Sequence, residues 1–183
     1  MYHVILAGGS GSRFWPKSRV DTPKQLLKIL GEETMIRLTY NRLREIADSD
    51  KIFVVASDNL SKLIHNDIPE IPEENFIIEP SGKNTAPAIG LAALHIFKRD
   101  SNAIMGVYPA DHLIEGDLKF KRIIAKAQKM VKKKSCLIII GIEPTYPATG
   151  YGYIQYDSNK KMDEGVYKVK TFAEKPEKET ADK

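Results

Sequence analysis

Hydrophobic positions fall into short continuous runs separated by stretches with helical spacing. Val4-Ile5-Leu6-Ala7, Ile52-Phe53-Val54-Val55-Ala56, Phe76-Ile77-Ile78, Ala103-Ile104-Met105-Gly106-Val107-Tyr108 and Leu137 to Ile142 read as five buried strands. Between the first two, residues 34–47 place Ile36, Tyr40, Leu43 and Ala47 on one helical face. Ser57 and Asp58 suit the cap of a second helix reaching about Asn66. A helix from Thr85 to Lys98 carries Ile89, Ala92, Ala93, Ile96 and Phe97 inward. A fourth, over 117–134, does the same with Phe120, Ile123, Ile124, Ala127 and Val131. Gln25 to Leu30 reads as a short extended segment ended by Gly31. Beyond Gly150 the pattern changes to two extended segments, 151–156 and 166–173, with a turn around Ser158-Asn159.

Continuous apolar strands alternating with helices predict an α/β fold, a Rossmann-like and mostly parallel sheet with helices on both faces. Ligands of such sheets sit outside the carboxyl ends of the strands. Three polar loops follow strands here, 8–15, 79–85 and 109–112, so all three are expected to meet at one edge.

Composition narrows the classes of function. At 183 residues the chain can form a domain with a sizeable core, and 42% hydrophobic with 28% charged residues suits a soluble globular protein. The longest apolar stretch, Cys136 to Ile142, is strand-sized, so no membrane partner is expected. No basic region precedes the first apolar run, which argues against a signal peptide. A single cysteine makes no internal disulfide and suits the cytoplasm; Cys136 is expected to be a core thiol. Net charge is only +4, and the lysines of 119–134 form the solvated face of an amphipathic helix. Exposed aromatics do not interleave with them, so no nucleic-acid partner is expected.

The chemistry begins directly after the first strand. Leu6-Ala7-Gly8-Gly9-Ser10-Gly11-Ser12-Arg13-Phe14-Trp15-Pro16 holds three glycines in four positions, so its backbone N–H groups can approach a ligand closely. Arg13 and Lys24, in Pro23-Lys24-Gln25, add two cations; donors plus cations describe a polyphosphate pocket. It is neither of two familiar phosphate loops. The third glycine of G-x-G-x-x-G is replaced by Phe14, and the second glycine of G-x-x-x-x-G-K-[S/T] by Arg13. In the next loop Asn84 or Thr85 suits a helix N-cap and Pro87 the first turn, while Glu79 and Asn84 offer groups that can read a base edge. Asp111 follows a buried strand, where a carboxylate can bridge a hard cation to phosphates. His112 reads as structural, and His3, His65 and His95 have no ligand spacing.

The first signature, extended by Phe14-Trp15-Pro16-Lys17-Ser18-Arg19, resembles that of the sugar-nucleotide pyrophosphorylases, and within them the mannose-1-phosphate guanylyltransferase branch. Four more segments resemble motifs of that family in its order. They are Glu79-Pro80-Ser81-Gly82-Lys83-Asn84-Thr85-Ala86-Pro87-Ala88, Pro109-Ala110-Asp111-His112, Gly141 to Ile154 and Phe172-Ala173-Glu174-Lys175-Pro176. The resemblance covers Leu6 to Pro176. It implies the nucleotide-diphospho-sugar transferase fold, which is GT-A-like, and a transfer of GMP from GTP to α-D-mannose 1-phosphate, giving GDP-mannose and pyrophosphate. Nucleotide binding is then implied for Leu6, Ala7, Gly8, Gly9, Gly11, Ser12, Arg13, Lys24, Glu79, Gly82, Asn84, Thr85 and Asp111. Arg13, Lys24 and Asp111 carry the catalytic roles, with Mg²⁺ on Asp111. Gly150, Tyr151, Glu174 and Lys175 take the sugar phosphate, although a Glu-Lys pair alone reads as surface charge.

Two departures qualify this resemblance. Lys83 stands where several members have arginine. The family's second acidic metal ligand lies beyond the E-K-P motif, and this sequence reaches Lys183 before it, so the C-terminal part is expected to be truncated. Residues 177–183 read as the start of a helix. The expected organisation is one nucleotidyltransferase domain over 1–183, with a nucleotide-binding core at 1–143 and the start of a sugar-binding part at 144–183. A homodimer is a candidate assembly. The alternatives are a nucleotidyltransferase for another sugar 1-phosphate or nucleoside triphosphate, or a non-catalytic nucleotide-binding fragment. Cytidylyltransferases share a glycine-rich loop but are not expected to carry Trp15-Pro16 or Thr149-Gly150-Tyr151-Gly152.

Overall fold

A computed structural model describes residues 1–9, 14–19 and 22–182. The chain divides into two compact units, Met1–Cys136 and Leu137–Lys183. In the first, strands β1 (Tyr2–Leu6), β2 (Ile52–Ala56), β3 (Phe76–Ile78) and β4 (Met105–Pro109) alternate with helices α1 (Met35–Arg44), α2 (Asp58–Asp67), α3 (Thr85–Arg99) and α4 (Asp117–Lys134). The sheet is parallel throughout, in the order β3-β2-β1-β4. Register places His3 opposite Ile52 on one side and Gly106 on the other, and Leu6 opposite Val55 and Pro109.

Both faces of this sheet are covered, which is why its strands are apolar at successive positions. On one face Ile5, Val54, Ala56 and Tyr108 pack with Ile36, Tyr40 and Leu43 of α1, Leu60 and Ile64 of α2, and Phe120 and Ile124 of α4. On the other, Val4, Phe53, Val55 and Ile77 pack with Ala88, Ala92 and Ile96 of α3. The chain runs outward from β1 through β2 to β3, and α3 then carries it back across the second face to β4. Strand order therefore reverses between β1 and β4, leaving a crevice at their carboxyl ends. Thr34 starts α1 by accepting a hydrogen bond from the Arg37 amide at 3.1 Å.

The second unit is an antiparallel hairpin of β5 (Tyr153–Asp163) and β6 (Val166–Ala173), followed by a short helix α5 (Lys178–Ala181). No helix among the described residues is long and apolar enough to cross a membrane.

Several expectations are corrected. Leu137 to Ile142 forms no ladder, and Leu137 is 99% exposed. An apolar run becomes a strand only when an edge pairs with it, and the hairpin's two strands pair with each other. Cys136, at the head of this run, is half-buried rather than a core thiol. On α3, Ala93 and Phe97 are exposed, because a narrow stripe at 88, 92 and 96 meets the sheet. Residues 24–26 form a single 3-10 turn rather than an extended segment, closed by Leu26 N–H to Pro23 O at 2.9 Å. The hairpin turns at Glu164-Gly165, where Gly165 has φ +66°, whereas Ser158-Asn159 falls inside β5. There the Asn159 amide bonds Asp157 Oδ1 at 3.1 Å, so the turn signal is used up as an irregularity in the ladder.

The buried contact between β1 and β4 makes stability sensitive to pH and to one glycine. His3 lies 2% exposed, with Nδ1 3.0 Å from Tyr108 Oη and its ring stacked on the tyrosine. Burial, helped by the positive N-terminal amine, pulls its pKa from 6.5 to about 4. Between these values the unfolded chain takes up a proton that the native state refuses. Stability should thus fall as pH drops through this window, by about 3 kcal/mol from His3 alone, and level off below it. Urea titrations at pH 7 and pH 4.5 should show a shallower pH dependence for His3→Phe than for wild type. At Gly106, an added Cβ would lie 2.5 Å from Tyr108 Oη and 2.7 Å from Met1 Cε. Tyr108 is wedged against Phe120 and cannot swing away freely. Gly106→Ala should therefore cost about 1–3 kcal/mol, read as a lowered thermal midpoint.

Candidate functional site

The crevice between β1 and β4 collects the chemistry of the first unit. Ladder geometry extends one residue past each strand: the Ala7 amide bonds Val55 O at 2.9 Å, the Ala110 amide bonds Leu6 O at 3.2 Å, and the Glu79 amide bonds Ala56 O at 2.9 Å. These bonds fix the starting points of the three polar loops side by side. Gly8 and Gly9 then emerge exposed, Gly9 with φ +98°, a conformation that favours glycine. Glu79 stands beside the first glycine, its Oε2 3.7 Å from where a Gly8 Cβ would be. Lys24 stands beside the second, its Cε 3.8 Å from where a Gly9 Cβ would be.

Lys24 Nζ donates to Asp111 Oδ2 at 2.5 Å, joining the turn after the glycine loop to the loop after β4. Both side chains are 21% exposed, so the pair is screened less than a surface ion pair. Asp111 itself is braced from behind by one turn of α1. Thr39 Oγ1 shares its one hydrogen between Met35 O at 3.2 Å and the Ala110 carbonyl at 3.4 Å, and Arg42 Nη2 donates to the His112 carbonyl at 3.5 Å, one on either side of the aspartate. Burial lowers the pKa of Arg42, whose guanidinium also lies over the Phe120 ring. His112 contributes its carbonyl to this brace, and its side chain is exposed.

Gln25 was absent from the residues expected to matter. Its side chain is fully buried, and Nε2 donates to Ala7 O at 2.5 Å and Gly8 O at 3.0 Å. Its position in Lys24-Gln25-Leu26-Leu27 gives no sign of this, since a polar residue beside leucines reads equally well as the outer face of a strand. Thr39 and Arg42 are hidden for a similar reason: both lie on the helix face that packs inward among apolar residues.

The remaining nucleotide candidates divide. Leu6 and Ala7 end the strand inside the crevice, while Gly82, Asn84 and Thr85 lie exposed on the loop that opens α3. Asn84 is the N-cap residue with φ 69°, and its side chain makes no capping bond. Gly11, Ser12 and Arg13 lie outside the described residues. Also among the described residues, no group of three or more His, Cys, Asp or Glu side chains is gathered for a metal. Asp111 is thus a single carboxylate, which fits a cation completing its shell with phosphate oxygens and water.

In the second unit the hairpin brings its two motifs together. Tyr153 pairs with Ala173, and the Lys175 amide bonds Tyr151 O at 3.2 Å. Gly150 and Tyr151 thereby lie across from Glu174 and Lys175, whose side chains form an ion pair at 2.7 Å. A Cβ on Gly152 would stand 2.3 Å from the Phe172 ring and 3.0 Å from Glu174 Oε2, so a larger residue here would displace those two exposed side chains.

The geometry invites comparison with known proteins. A family model described as nucleotidyl transferase matches residues 2–183. The alginate biosynthesis protein AlgA of Pseudomonas putida is 36% identical over 183 residues, covering 99% of this chain and 37% of that protein. A mannose-1-phosphate guanylyltransferase of Escherichia coli is 38% identical, covering 99% of this chain and 39% of its own length. A crystal structure described as a mannose-1-phosphate geranyltransferase from Thermus thermophilus has a TM-score of 0.88 at 27% identity, over 98% of this chain and 51% of that one. The chain therefore spans 37–39% of the length of these two curated relatives. A match running from the first strand to the last helix, on a parallel sheet with a glycine loop at its switch point, makes the chain a member of the nucleotidyl transferase family.

Proposed function

We propose that this chain carries the nucleotide-binding part of a mannose-1-phosphate guanylyltransferase, joining GTP and α-D-mannose 1-phosphate into GDP-mannose and pyrophosphate. One observation carries the reading. Gly8-Gly9, Lys24 and Asp111 meet at the β1–β4 switch point, where a triphosphate would find backbone donors, a cation and a carboxylate able to hold a metal together. The name of the guanylyltransferase relative supports a guanylyl donor and mannose 1-phosphate as the substrates.

The reaction is an in-line displacement. A phosphate oxygen of the sugar 1-phosphate attacks the α-phosphorus, the bond from that phosphorus to the bridging oxygen breaks, and pyrophosphate leaves with the electron pair. Phosphate is already a competent nucleophile, so the protein's task is positioning and charge neutralisation. Lys24 would leave Asp111 to steady the β- and γ-phosphates, with Arg13 assigned the same role from sequence. Asp111 would hold Mg²⁺, which supplies neutralisation of the triphosphate's charge. Glu79 and Asn84 would read the guanine edge, and the backbone at Gly150-Tyr151 with Glu174 and Lys175 would take the mannose phosphate. A cytoplasmic setting belongs to the same proposal, in keeping with the lone free thiol Cys136. So does assembly as a homodimer.

A thermal-shift panel tests the base and the metal. GTP with Mg²⁺ should raise the midpoint more than ATP, CTP, UTP or dTTP; saturation at 100 times the dissociation constant adds about 2.7 kcal/mol. A preference for CTP or UTP would leave the fold standing and sink GTP as substrate. Asp111→Asn should keep the shift given by GTP alone and lose the further increment given by Mg²⁺. An increment of wild-type size in that variant would remove the metal from Asp111.

A further inference from the structure

We infer that Gln25 is a positioning residue that aims the glycine loop and Lys24 at the phosphates, an inference that rests on the proposed nucleotide site. Two carbonyls, Ala7 O and Gly8 O, face one end of its side chain, so that end must be the NH₂, with one hydrogen for each. The peptides concerned are trans and planar, and in a trans peptide the C=O and the N–H point in opposite directions. Holding the Ala7 and Gly8 carbonyls therefore turns the Gly8 and Gly9 N–H groups away from Gln25 as a fixed pair of donors. Neither glycine has a side chain that could set those peptides, and Gly9 is at positive φ, so the grip has to come from elsewhere.

The same contact fixes Lys24. Gln25 is the middle residue of the turn Lys24–Leu26, and anchoring it beneath the loop sets where its neighbour can reach. Lys24 consequently passes along Gly9 to Asp111. One buried amide thus sets both the backbone donors and the cation.

The cost of the arrangement argues that it is more than packing. Gln25 Oε1 is buried without a hydrogen-bond partner among the described residues. Asn75, a second fully buried amide, shares its two N–H hydrogens among the carbonyls of Ser49, Asp50 and Ile52 and accepts from Arg99, so neither end is left unmatched. Asn75 shows what an amide kept for stability looks like in this fold. Gln25 tolerates an orphaned acceptor while holding the head of the loop, the pattern of strain retained at working sites.

The test compares wild type with Gln25→Met, which keeps the length and removes the amide. Removing the orphaned acceptor offsets only part of leaving the Ala7 and Gly8 carbonyls without their donor, so the unfolding midpoint should fall while unfolding stays cooperative. GTP affinity with Mg²⁺, by calorimetry, should fall about tenfold or more. In the absence of nucleotide, a Lys24→Ala/Asp111→Ala double-mutant cycle followed by urea unfolding should show its coupling abolished in the Gln25→Met background. Retained coupling with unchanged GTP affinity would overturn the inference. Should Gln25→Met fail to unfold cooperatively, Gln25→Asn, whose amide is one methylene short, is judged by the same two readouts. If wild type binds no nucleotide, the proposed function fails on its own, and the cycle still decides whether Gln25 positions Lys24.

Discussion

Strand β1 is paired in parallel along both edges, and the rest of the first unit is arranged around that constraint. A parallel strand needs a crossover on each side, so β2 and β4 must arrive by way of helices, and those helices bury the two faces. Because the two crossovers leave in opposite directions, the loops after β1 and β4 cannot both be covered at their carboxyl ends. The glycine loop and the Asp111 loop open into the same gap. The apolar run that makes β1 a central strand is therefore also what places Gly9 beside Asp111's partner Lys24.

Around this gap charge is kept balanced. Lys24 and Asp111, each only partly exposed, satisfy one another, and the aspartate's loop is held by Thr39 and Arg42 from the core side. Either charge alone would sit poorly in so enclosed a place. Together they form a pair that can exchange partners: a phosphate group for the ammonium, a cation for the carboxylate. In the proposed reaction both substitutes come with the nucleotide, so the site would pass from one neutral arrangement to another. Polar groups at the edges of the fold, such as the Glu174–Lys175 pair, are already exposed and need no such balance.

Much of this was legible in the sequence, for identifiable reasons. Strands β2 and β3 appear at their predicted limits, because apolar, mostly β-branched runs ended by Ser57 and by Glu79-Pro80 leave little choice. The switch point was legible because three polar loops follow strands of a parallel sheet, which open at one edge. Sequence reading failed where partners at long separation decide. Leu137 to Ile142 has strand composition but no ladder; Phe97 has the right helical spacing, but the small residues Ala88 and Ala92 bring the sheet too close to that stripe for it to take part. Gln25 was hidden most completely. Nothing local distinguishes a glutamine that will bond carbonyls 17 and 18 residues away from one that will face solvent.

The measurement closest to the central claim is an amide shift map of the ¹⁵N-labelled chain, with and without GTP and Mg²⁺. With the triphosphate bound at the β1–β4 switch point, the largest changes should fall on Gly8, Gly9, Lys24 and Asp111, with smaller ones near Glu79 and Asn84. Changes confined to the lysine-rich face of α4 or to the β5–β6 hairpin, with those four amides unmoved, would contradict it.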